Sequence, residues 1–75
     1  MKYTIGIKLT SKWNVIPHKI QYFTAGNTYE IEDINHVGLI AFKDDTGDIQ
    51  YLSTVAVEYI FYDINTAYDD AMSIV

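Results

Sequence analysis

The sequence predicts a small, mostly β domain: five short antiparallel strands, closed as a barrel or curled as a sheet, then a short C-terminal helix. Three observations carry this. Several short segments alternate apolar and polar side chains, the period of a half-buried strand. Turn residues (Gly, Asn, Asp) separate them at close intervals. The last dozen residues change to helical spacing. The chain has 75 residues, enough for one domain over 1–75, with the β part at 1–62 and the helix at 63–75. A chain this short buries only roughly 60–65% of its unfolded surface. It has no cysteine, so no disulfide or thiolate zinc site reinforces it. The core must come from apolar side chains, which make up 49% of the sequence, too many for a disordered chain.

The first strand is expected in "KYTIGIKL", where Tyr3, Ile5, Ile7 and Leu9 share one face and Lys2, Thr4, Gly6 and Lys8 the other. "TSKWNVIPHKIQYFTAG" has no clear period. Pro17 pushes Ile16 toward extended backbone and opposes a helix, so a long excursion with a short irregular hairpin is expected. "NTYEIEDI" is the second strand, with Tyr29, Ile31 and Asp33 facing one way and Glu30, Glu32 and Ile34 the other. "INHVG" reads as a turn, "LIAFK" as strand three, "DDTGD" as a turn and "IQYL" as strand four. The fifth strand is expected within "VAVEYIFY", with a short helical turn as the alternative for its first residues. Ile64, Ala67, Tyr68, Ala71, Met72 and Val75 then fall on one helix face. Thr66 and Asp69 fit a capping box, and Asp69 and Asp70 suit a helix N-terminus. The helix is expected over 66–74, docked on the second apolar face of strand five.

The runs "YFTAGNTYEIEDI", "GLIAFKDDTGDIQYL" and "VAVEYIF" resemble those of small phage- and prophage-encoded proteins with an SH3-like barrel. The likeness covers about residues 22–62. It implies an SH3-like five-stranded antiparallel barrel and a phage origin, rather than an activity; the C-terminal helix is not part of it.

Ten acids oppose five lysines, with no arginine. Arginine is the usual bidentate reader of phosphate and guanine, so direct nucleic-acid binding is not expected. Residues 1–27 hold Lys2, Lys8, Lys12 and Lys19 and no acid; residues 28–75 hold every acid and only Lys43. Two readings follow. The lysine-bearing segment lies against acidic strands, or an acidic face is displayed to a basic partner. No apolar run approaches the ~18 residues of a membrane span, and the first residues lack the apolar core of a signal peptide. The expectation is a cytoplasmic protein starting at its own Met1, in the host cell if it is phage-encoded.

The acidic cluster "DDTGD" is tested first as a calcium loop. That loop needs Gly at its sixth position and Glu at its twelfth. Starting from Asp44, Gly47 is misplaced and the twelfth residue is Val55. A hairpin loop with an early Asp and a left-handed Gly fits instead. His18 and His36 have no metal-ligand spacing, and Ser11, Ser53 and Ser73 have no nucleophile context. Glu30 and Glu32 read as the solvent face of a strand. No catalytic residue, cofactor or metal is expected.

Trp13, with Tyr22 and Phe23, lies in the aperiodic segment. It either plugs an open end of the barrel or anchors a partner. The expected function is a non-enzymatic phage accessory protein that binds and modulates or inhibits a host protein, a nucleic-acid-handling one being a candidate, through an acidic surface that occupies a basic site. The expected contacts are Trp13, Tyr22, Asp44, Asp45, Asp48, Asp69 and Asp70. The alternatives are a small-ligand or nucleotide-binding oligomer and a structural subunit of a phage particle; a homodimer is a further candidate partnership.

Overall fold

The structure is a computed structural model and describes residues 3–62. The helix expected over 63–75, with Asp69 and Asp70, lies outside them. The described chain is mostly β. Four antiparallel strands, β1 (Lys8–Thr10), β2 (Thr28–Ile34), β3 (Ile40–Lys43) and β4 (Ile49–Leu52), form one sheet in sequence order, followed by the short helix α1 (Thr54–Ile60).

The first strand is shorter than its alternation suggests. Gly6 adopts φ +95° and Ile7 N–H donates to Thr4 C=O, so a turn occupies residues 4–7. Gly6 N–H donates to Ile31 C=O, and Ile31 N–H to Ile7 C=O. Two residues therefore face one across the ladder, a bulge with glycine in the left-handed position. It turns Ile5 out to 62% exposure, while Tyr3 and Leu9 stay buried. A second bulge lies in β2, where Ile31 pairs with Phe42 but Asp33 pairs with Ala41. The extra residue inverts the alternation: Asp33 faces solvent, and Ile34, expected beside Glu30 and Glu32, packs against the core.

The excursion between β1 and β2 is the irregular hairpin expected. Val15 and Phe23 form a bridge, and Ile20 N–H donates to Pro17 C=O at the tip. One 3-10 turn, Pro17–Lys19, is present, but His18 has φ 51° and ψ 38°, so no helix propagates.

The expected fifth strand is replaced by α1. Its residues Val55, Val57 and Ile60 are β-branched, which made a strand plausible. The burial is helical instead: Val57 and Phe61 are buried and Ile60 half-buried, while Val55, Glu58 and Tyr59 are exposed. Ser53 caps the start, its Oγ accepting from Ala56 N–H at 3.2 Å. Only at Phe61 does the chain extend again, bridging Ser11.

Phe23, Phe42, Phe61, Ile31, Ile40 and Val57 are essentially inaccessible. Each contributes about 1.5–3 kcal/mol by burial. Phe42 stacks on Phe61 at 4.6 Å, and Phe23 meets Tyr29 and Phe61 edge-on at 4.9 and 5.3 Å. This aromatic centre joins the hairpin, the sheet and the residue that ends α1.

Candidate functional site

The residues after β1 grip the end of α1. A helix leaves its last carbonyls without intrahelical partners. Here Lys12 Nζ donates to Glu58 C=O at 3.1 Å, Trp13 Nε1 to Tyr59 C=O at 2.8 Å, and Lys12 N–H to Ile60 C=O at 2.7 Å. Tyr62 N–H returns to Thr10 C=O at 2.9 Å. Buried Ser11 fixes the approach, its Oγ donating to Trp13 C=O at 2.8 Å.

The result is an outward-facing aromatic surface. Trp13 lies 6.1 Å from Tyr59, tilted by 36°. Lys12 Nζ lies 5.9 Å from the Tyr62 ring centroid, within cation–π range. Trp13, Tyr59 and Tyr62 are 52%, 62% and 48% exposed. Trp13 therefore does not plug the core; that position is filled by Phe23, Phe42 and Phe61. Tyr59 and Tyr62 had no place in the sequence-level site. The helical spacing that buries Val57 and Phe61 is the signal that places Tyr59 outside.

The acidic turn separates its three aspartates. Gly47 takes φ +92°, as the hairpin requires. Asp44 was expected to display its charge, but it is 5% exposed. Its Oδ1 accepts from Thr46 N–H (2.9 Å), Thr46 Oγ1 (2.6 Å) and Asp48 N–H (3.0 Å); Oδ2 accepts from Gln50 Nε2 at 2.8 Å. Burial pushes the Asp44 carboxyl up. The hydrogen bonds from Thr46, Gln50 and Asp48 outweigh it and hold the group below its ordinary value. Burial is the largest single influence, and the four donors together overcome it.

Asp45 is at the surface, yet both its oxygens are engaged: Oδ1 with Tyr29 Oη and Oδ2 with Thr24 Oγ1, each at 2.7 Å. Its N–H donates to Tyr22 C=O at 2.7 Å. Asp45 thus ties the hairpin to the β3–β4 turn. Burial, and then the Asp45 carboxylate, raise the Tyr29 phenol above its ordinary value. Tyr22, expected at the contact, is half-buried against the core. Asp48 is exposed, as are Glu30, Glu32 and Asp33 along β2. The structure thus brings together Trp13, Tyr59 and Tyr62. It places Asp44 and Asp45 in the scaffold at a separate turn.

Among the described residues, no group of three or more His, Asp or Glu is placed to hold a metal ion. No helix among them is long and apolar enough to cross a membrane. Comparison with known proteins finds no matching family model, no similar curated protein and no similar solved structure.

Proposed function

We propose that this chain is a non-enzymatic, phage-derived accessory protein that binds a host protein in the host cytoplasm through the surface formed by Trp13, Tyr59 and Tyr62. One observation carries the reading: the exposed tryptophan is held by its own indole N–H on the Tyr59 carbonyl, 46 residues away in sequence. A large side chain fixed in place while half-exposed loses little entropy on binding, and Trp and Tyr are the usual binding hot spots. An SH3-like barrel is the finer form of the fold that we propose. The Ser11–Phe61 bridge and the bonds from Lys12 and Tyr62 to the opposite backbone support it, because they bring residues 60–62 against β1 and the residues after it.

The exposed acids Glu30, Glu32 and Asp33 on β2, with Asp48 at the β3–β4 turn, support a partner with a basic site, such as a nucleic-acid-handling protein. The test is affinity capture from a bacterial lysate with the wild-type chain and with Trp13→Ala. The reading predicts a discrete protein retained by the first and lost by the second, with the fold of the variant intact. Equal retention by both chains would remove Trp13 from the contact.

A further inference from the structure

The tip of the first hairpin points to self-association. His18 and Lys19 have φ 51° and 67°, with Ile20 N–H donating to Pro17 C=O at 2.9 Å. Positive φ at both central residues defines the hairpin turn that usually requires Asn-Gly. The other left-handed positions among the described residues are all glycine: Gly6, Gly26, Gly38 and Gly47. Among the described residues, the tip alone retains two side chains in a conformation that strains L-residues.

The fold itself makes no use of them. Among the described residues, neither the His18 imidazole nor the Lys19 amine has a hydrogen-bond or ion-pair partner. The flanking Ile16 and Ile20 are 51% and 47% exposed. The tip is therefore apolar and basic, in a segment without acids.

The complementary chemistry lies on the outer face of β4. Ile49 and Tyr51, two residues apart and so on one face, are 44% and 49% exposed. The Tyr51 hydroxyl reaches Asp33 Oδ2 at 3.5 Å, and Asp48 precedes Ile49. Lys43, opposite Ile49, is the adjoining cation, so two carboxylates stand against one amine. β4 ends the sheet order, and no strand pairs with its outer edge among the described residues. It carries neither proline nor lysine, two of the usual protections of an edge.

We propose that a second copy of this chain occupies this face, with Ile16 and Ile20 of each tip packed on Ile49 and Tyr51 of the other copy and Lys19 held in the field of Asp33 and Asp48. Reciprocal docking about a two-fold axis closes the pair as a dimer rather than a filament. This contact is separate from the aromatic surface, and purified protein alone tests it.

Sedimentation equilibrium over a concentration series should show wild-type mass rising toward twice the monomer, with association weakening as salt rises. Lys19→Glu should weaken association about tenfold or more, as should Ile16→Ser with Ile20→Ser. His18→Asn with Lys19→Gly should raise monomer stability, by relieving the turn, while weakening the dimer. A mixture of Lys19→Glu with a chain carrying Asp33→Lys and Asp48→Lys should recover a heterodimer that neither variant forms alone. Recovery excludes misfolding as the cause of loss. A wild-type chain that stays monomeric at about millimolar concentration, or a dimer indifferent to these changes, would overturn the proposal.

Discussion

Replacing Asp44 by Asn separates a structural acid from a displayed one. The carboxylate accepts four hydrogen bonds, from Thr46 N–H, Thr46 Oγ1, Asp48 N–H and Gln50 Nε2. A hydrogen bond to a charged group contributes about 1.5–3 kcal/mol. The asparagine oxygen still accepts from Thr46 and Asp48 but without the charge, while half-buried Gln50 then faces another amide donor. One to two bonds are lost in net terms, or about 2–3 kcal/mol. For a domain of this size that lowers Tm by about 10–20 °C.

The pH dependence supplies the control. Asp44 titrates lower in the folded than in the unfolded chain. Its stabilisation is therefore present above its ordinary value of 3.8 and is lost as pH falls through the folded value. Urea melts of wild type and Asp44→Asn should differ at pH 7 and converge as the pH falls through the folded value, below 3.8. A variant as stable as wild type at pH 7, or a gap that persists unchanged in acid, would refute the role given to this carboxylate.

Other expectations follow from the same geometry. Tyr29 titrates higher in the folded chain, so its contribution holds below 10.0 and is lost as pH rises through the folded value; Tyr29→Phe should remove that alkaline loss and cost about 1–2 kcal/mol at pH 7, measured by urea melts. Gly47→Ala should cost about 1 kcal/mol or more, and by conformation alone, because nothing lies within 4 Å of the added Cβ; a neutral variant would contradict the left-handed turn. Trp13→Ala should cost about 1–2 kcal/mol, short of the 3–5 of a core aromatic; a larger loss in thermal melts would return Trp13 to the core.

Strands β2, β3 and β4 were legible because turn residues bracket them, although burial does not follow the alternation: the β2 bulge inverts it at Asp33 and Ile34, and Ile49 and Tyr51 of β4 are exposed. The first strand misled because Gly6 fits an alternating pattern as a small outward residue, whereas its left-handed φ breaks the strand. At residues 54–60, β-branched composition favoured a strand. The helix is set by packing of Val57 and Phe61 and by the Ser53 cap, and only the cap is local in sequence. "DDTGD" announced a turn, but four acceptor bonds decide which aspartate faces inward. The Asp-x-Thr spacing from Asp44 to Thr46 is the trace such a turn leaves in sequence. Trp13 could not be placed from sequence, since its partner carbonyl lies on another element.

The central claim is that Trp13 stands in solvent in the free chain and is covered by a partner protein. It is the sole tryptophan, so its fluorescence reports that position without labelling. Acrylamide quenching of the free protein, and then of the protein saturated with the captured host partner, measures the covering directly. The account predicts ready quenching in the free chain, and a marked fall in quenching with a blue shift in the complex. Quenching that is equal in both states, or already absent in the free chain, would contradict it.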